Sequence, residues 1–425
     1  MTYSEQAVAI AGAGCVLPTG IGVERFWQAA SAGRSGIGPL RSQHFHSRLV
    51  AAFGHVADDV HQLCRQGVPR NLQRYCPPSV IWGVSAVGQA LQDAGLDPRE
   101  ERLRFGLYCC QGGYTHPSLD AYAELLRECG SAHGLDKRKL SRRVLQESSL
   151  DPFLVLKSLS NGLLGVVSLA YRLECECNAY MQGVAGNLAA LREACSALLS
   201  GRIDAAIVVG AGSELDALAL SALVQSGVIG ANGAESFRPF DEEGRGGVAG
   251  EGAAALILRR TGDLQDLLHT RLVGLASHAD LAGLSLPSQE VDMLVCSASG
   301  VPEQDRLLSE RLAHVRAGHV TSAQPLTGIL SGAPSLVELI LAHRAMQAQS
   351  IPPIAGLRQP VSRQLPFVMG ASLPAQIRRS AVISRDDNGF SACYQLEHPM
   401  GQSSCGQENS SAAFGAPQCF YSQRM

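Results

Sequence analysis

The sequence predicts an α/β protein built around a mainly parallel sheet, and three observations carry that expectation. Short apolar runs bounded by glycines alternate with longer stretches of helical period, which is how βαβ units look in sequence. Several helical stretches, Ala185 to Leu199 above all, are rich in Ala and Leu on more than one face, so they belong inside the molecule, in a layer of helices between sheets. Only 17% of the 425 residues are charged, against the ~25% usual for soluble domains, while 45 are Gly. Such a chain packs its backbone tightly and often hides surface in an oligomer.

The first strand is expected at 7–11 and ends in Gly12-Ala13-Gly14. These glycines invite a dinucleotide-binding reading, but the third glycine and an acidic residue near position 35 are both missing, so a tight strand-to-helix turn is expected instead. Helices follow at 23–32 and 79–95, then a strand at 105–110 and a helix at 118–129. The buried helix at 184–200 leads into a strand at 204–210, and a helix at 215–226 precedes a strand at 253–258. After Arg260 the dense Gly/Ala pattern loosens, which divides the chain into 1–260 and 261–400. The second part carries strands at 291–296, 319–323 and 379–384 and helices at 302–315 and 333–347. Residues 401–425, rich in Ser, Gln and Gly with little charge, read as a disordered tail.

Composition excludes several classes of function. A net charge of −3 with no block of five basic residues leaves no electrostatic footprint for nucleic acid. No uncharged apolar run is long enough to span a membrane, and no basic segment precedes the first apolar run, so a cytosolic protein is expected. The 13 cysteines are scattered without CxxC pairs or a Cys/His cluster at zinc spacing, and read as reduced, mostly buried thiols with no metal or cofactor.

The most specific stretch is Arg238 to Leu258, RPFDEEGRGGVAGEGAAALIL. Its Arg238, Asp241, Gly250, Glu251 and Gly252 sit at a glycine-crowded strand entry, where backbone approaches too closely for a Cβ. The stretch resembles the signature of the β-ketoacyl synthases, the condensing enzymes of fatty-acid and polyketide assembly. Other segments agree in order and spacing over roughly residues 6–397, among them GAGCVLPTGIGVERFWQAASAGRSGIGPL, KSLSNGLLGVVSLAYRL, SGRIDAAIVVGAGSE and TGILSGAPSLVELILAHRAMQAQSIPP. The resemblance implies a thiolase-like αβαβα sandwich made of two duplicated halves, 1–260 and 261–400, working as a dimer.

The chemistry of that family needs a Cys at the start of a buried helix, where free amides and the helix dipole favour a thiolate, and two His that stabilise an enolate. By the resemblance, the Cys position is Val184, reached by counting back from Gly201 and Asp204. Ser297 stands at the first His position in CSASGVPEQDRLL, ahead of Pro302 and Asp305, and Ile329 follows Thr327-Gly328 where the second His belongs. The assisting Lys position is Gln324, the gating Phe of the signature is Gly247, and the C-terminal gating loop is Arg385-Asp386-Asp387 before NGFSACYQL. Four separate losses within an intact glycine framework cannot come from one register error. His278, His314, His319 and His343 follow no motif geometry and read as structural. No GxSxG elbow offers a hydrolase.

A condensing fold without nucleophile or histidines resembles the chain-length factors of type II polyketide synthases, silent subunits paired with an active ketosynthase. The resemblance implies a heterodimer whose partner supplies Cys-His-His, an acyl carrier protein bearing the chain, and an acyl tunnel at the shared interface. Candidate tunnel or interface residues are Cys110, Gly113, Tyr114, Gln182, Val184, Gly247, Arg385, Asp386 and Phe390. Two alternatives stay open: an active synthase using Cys177 or Cys175, seven and nine residues before Val184, and a carrier-docking scaffold using a sparse basic set, Arg34, Arg70 and Arg74.

Overall fold

The computed structural model describes residues 7–42, 47–99, 102–112, 119–181, 183–230, 233, 237–264 and 269–399. The expected tail at 401–425 lies outside the described residues. The long strands are β1 (Val8–Leu17), β2 (Phe105–Gly112), β3 (Glu176–Met181), β4 (Ala205–Ser213), β5 (Glu251–Arg260), β6 (Arg271–His278), β7 (Val291–Cys296), β8 (Ala317–Thr321), β9 (Arg379–Arg385) and β10 (Ser391–Glu397). The main helices are α1 (Val23–Ser31), α2 (Asp58–Gln66), α3 (Pro78–Asp93), α4 (Leu119–Cys129), α5 (Lys137–Leu145), α6 (Gly162–Tyr171), α7 (Gly183–Leu199), α8 (Ala217–Gln225), α9 (Pro302–Leu312) and α10 (Pro334–Ala348).

The strands run β8-β7-β9-β10-β6-β1-β5-β4-β2-β3 across the sheet. The two sets of five repeat one topology: β3-β2-β4-β5-β1 before Thr261 and β8-β7-β9-β10-β6 after it. In both, the first two pairings are parallel and the last two antiparallel. The sets meet through a short antiparallel contact, Val8 opposite Leu272 and Ala9 opposite Arg271. The sheet is therefore mixed, which corrects the expected mainly parallel one. The physical reason is that near-continuous apolar runs report a strand covered on both faces, whatever its direction. In β5, Ala254, Leu256 and Leu258 face one core while Ala253, Ala255 and Ile257 face another.

The inner layer consists of α7 and α10, which pack on each other and touch strands of both sets. Val184, Leu188, Leu191, Ala194 and Leu198 of α7 join Leu336, Leu339, Ile340 and Ala345 of α10 in one core, as expected for helices apolar all round. On the outer side of the first set lie α3 and α6, and Leu308 and Leu312 of α9 cover β7 and β9. Gly12 and Gly14 are not in a turn. They lie within β1, and a Cβ on Gly14 would come 2.2 Å from the Ala86 carbonyl oxygen, so they seat α3 against the strand. The polar helices α2 and α5 and the half-exposed strand β6 escape a sequence reading because they carry no continuous apolar stripe.

Candidate functional site

The positions at Val184, Ser297 and Ile329 arrive from three elements at the N-terminal end of α7. Gly183 opens that helix with φ +70, and its amide donates to the Ser331 carbonyl at 2.7 Å. Val184 is fully buried. The next donors belong to a carboxylate: Val184 N donates to Asp386 Oδ1 at 2.7 Å and Ala185 N to Oδ2 at 3.4 Å. Asp386 sits just after β9 in a turn closed by Asp386 N to the Phe390 carbonyl at 2.9 Å and Gly389 N to the Asp386 carbonyl at 3.1 Å. Burial pushes the Asp386 carboxyl up from its ordinary range, the two α7 amides pull it back, and Asp387 pushes it up again. Phe390 packs against the central core as it closes this turn.

Ser297, at the end of β7, is buried and donates to Glu338 Oε1 at 2.6 Å. It also accepts from Arg385 N at 3.2 Å. Ser384 of β9 donates to the other oxygen, Glu338 Oε2. Glu338 lies in mid-α10, 2% exposed, with no ion-pair partner among the described residues. Burial pushes its carboxyl up to about 7, and the two serine hydroxyls only partly oppose this. The Arg385 guanidinium is held down by burial as well, and its Nε finds no hydrogen-bond acceptor among the described residues. Gln324, beside this group, uses Oε1 to accept from Ala298 N at 2.7 Å.

Ile329 and Gly247 are complementary. A Cβ on Gly247 would come 2.5 Å from Ile329 Cδ1, so the isoleucine fills the space that a side chain at 247 would need. Asn187 of α7 ties the α10 start to the group, donating from Nδ2 to the Gly332 carbonyl at 2.8 Å and accepting at Oδ1 from Ser335 N at 3.1 Å. Among the described residues this assembly of apolar side chains, hydroxyls and carboxylates offers no imidazole, and the thiol beside the helix start is that of the buried Cys110 rather than of residue 184.

The signature residues act as scaffold. Asp241, 1% exposed, accepts from the amides of Glu243, Arg358 and Gln359 at 2.9, 2.6 and 2.8 Å. Arg238 pairs with Glu243 at 2.6 Å. Glu251 accepts from Val56 N at 3.1 Å and the Ser213 hydroxyl at 2.7 Å. Gly250 and Gly252 follow the expected close approach: a Cβ on Gly250 would lie 2.0 Å from the Thr327 carbonyl oxygen and one on Gly252 2.6 Å from that of Val16.

The other candidate residues are placed as follows. Cys110 is fully buried below α7, its thiol 4.0 Å from the Gly183 carbonyl and pushed up to about 12 by burial, so it contributes no exposed surface to an interface. Gly113, Tyr114 and Gln182 lie outside the described residues. Cys177 is exposed near the start of β3, four residues and roughly 13 Å of strand from Met181 at its end, and so stands away from the α7 amides. Burial pushes Cys175 up to about 11. Of the basic trio, Arg74 stacks on Tyr75, 4.8 Å from the ring centroid. His343 is buried and pushed down to about 3, while His319 falls inside β8.

Two features were missed in sequence. Glu338 looks like one more polar residue in a helix, and only its burial marks it. Helix α5 carries Lys137, Arg138, Lys139, Arg142 and Arg143, with Leu140 and Ser141 interrupting what would otherwise read as a basic block. Lys137, Arg138 and Arg142 are exposed. No group of His, Cys, Asp and Glu among the described residues is arranged to hold a metal, and none of the described helices is long and apolar enough to cross a membrane.

A family model described as Beta-ketoacyl synthase, N-terminal domain, matches residues 5–263, more than half of the chain. The chain belongs to the β-ketoacyl synthase family. It is 25% identical over 415 residues to the tetracenomycin polyketide synthase ketoacyl synthase beta subunit of Streptomyces glaucescens, covering 91% of this chain and 97% of that one. Its fold matches the ishigamide ketosynthase/chain length factor with a TM-score of 0.76 at 19% identity, over 93% of this chain and 100% of the other. A ketosynthase solved in complex with its type II polyketide synthase acyl-carrier protein matches with a TM-score of 0.67 at 19% identity, over 93% and 100% of the two chains.

Proposed function

We propose that this chain is a chain-length factor: a ketosynthase-like subunit, silent by itself, that pairs with an active β-ketoacyl synthase and shapes the acyl tunnel of a cytosolic type II polyketide or fatty-acid-like pathway. The observation that carries this reading is the start of α7, where Val184 stands in the nucleophile position and Asp386 takes the amides. Ser297 and Ile329 stand for the two histidines and Gln324 for the lysine, so the enolate has no stabiliser. The full-length likeness to a subunit named as a ketoacyl synthase beta subunit supports the same class.

The surface supports an unlike partner. Among the described residues β3 ends the sheet with one edge unpaired, and Val155, Leu156, Leu159, Leu169 and Met181, in and before that strand, are exposed. An edge strand beside exposed apolar side chains invites pairing with another chain. The basic face of α5 suits an acidic carrier protein. The two five-stranded sets are the halves 1–260 and 261–400, and Gly113 and Tyr114 are tunnel positions in this reading.

Co-expression with candidate ketosynthases and a carrier protein, followed by mass measurement of carrier-bound products, tests it. The expected result is a stable heterodimer and products whose length changes when residue 113 is enlarged. A stable monomer with no affinity for any ketosynthase, or radiolabelled acyl thioester captured on this chain and lost in Cys177→Ala, overturns it.

A further inference from the structure

We infer that Asp386 is a second lock on the chemistry of this chain: its carboxylate occupies the anion seat at the start of α7, so that restoring a cysteine at position 184 does not restore a reactive thiol. The inference rests on the reading of Val184 as the former nucleophile position. The first amides of a helix have no partner within it, and they favour one negative charge, whether a thiolate, a thioester oxyanion or a carboxylate. Here both available donors point at Asp386, at 2.7 and 3.4 Å.

The seat is built for this carboxylate. A Cβ on Gly183 would come 2.5 Å from Asp386 Oδ1, so only glycine admits it, at a φ of +70 that also favours glycine. The carboxylate is fixed from both sides. Its turn closes through Phe390, and the preceding residue, Arg385, is tied by its amide to Ser297, whose hydroxyl is tied in turn to Glu338. A thiolate at 184 loses these donors and meets a like charge, which opposes ionisation. Closing the seat leaves acyl groups to the partner's thiol alone.

The test installs Val184→Cys alone, with Asp386→Asn and with Asp386→Gly, in the full chain co-expressed with its ketosynthase. Alkylation of residue 184 by iodoacetamide is followed by peptide mass spectrometry between pH 6 and 10. The single variant is expected to react as an ordinary thiol of pKa ~8.5 or above. Asp386→Gly raises its rate at pH 7 at least tenfold, and Asp386→Asn, which keeps the cap without the charge, gives an intermediate gain. Equal rates in all three, or a single variant already reacting as a low-pKa thiol, overturn the inference. Should the glycine variant not fold, the asparagine comparison decides alone. Partner binding is scored separately on the unsubstituted chain, so loss of the heterodimer reading and loss of the Asp386 role give different results.

Discussion

Replacing Glu338 by Gln is expected to stabilise the protein, and increasingly so as pH rises. The carboxyl lies 2% exposed in α10, held by the hydroxyls of Ser297 and Ser384 and by no cation among the described residues. Burial raises it from an ordinary 4.5 to about 7. Between those values the folded chain holds a proton that the unfolded chain has released, so stability falls as pH rises from 4.5 and levels off above 7. At ~1.4 kcal/mol per pH unit the loss is about 3 kcal/mol. A glutamine keeps the shape and can accept from one serine and donate to the other, without the charge. Urea unfolding of both proteins at pH 5, 6, 7 and 8 measures the difference. Glu214, which burial also raises to about 7, is present in both chains and cancels. The variant should gain on the natural chain by ~2–3 kcal/mol between pH 5 and 8. A difference that stays constant with pH refutes the reasoning.

Three further outcomes follow from the same geometry. Asp241→Ala strands three amides and should cost at least ~3 kcal/mol, seen as lost soluble yield, while Asp241→Asn keeps an acceptor and retains more of both. Reversing Lys137, Arg138 and Arg142 to Glu should weaken carrier-protein binding about tenfold at low salt, with less effect at high salt and no loss of ketosynthase on co-purification. In the isolated chain a maleimide should label exposed Cys177 well before buried Cys109 or Cys110, and Cys177→Ala should leave products of the heterodimer unchanged.

Much of the fold was legible in the sequence because burial writes itself into composition. The strands at 105–112, 205–213 and 251–260 are nearly uninterrupted apolar runs, and α7 and α10 are apolar all round, so their existence and depth could be read directly. Strand direction could not, since a strand buried on both faces looks the same either way. The glycine framework was legible for a related reason: at Gly250, with the Thr327 oxygen 2.0 Å from any Cβ, no other residue fits.

What the sequence determined by itself was the family framework, and the residue types Val184, Ser297, Ile329 and Gln324 at the positions that we propose as the counterparts of the family's chemical groups. What only the tertiary structure decided is what took their place. Asp386 lies 202 residues from Val184 and Glu338 lies 41 from Ser297, yet each pair shares a hydrogen bond. The charge of Asp386 and Glu338 and the polarity of Ser297 were visible in the sequence, but their partners were not, because an electrostatic contact depends on distance in space and the chain fixes that distance only when β9, α7 and α10 pack together.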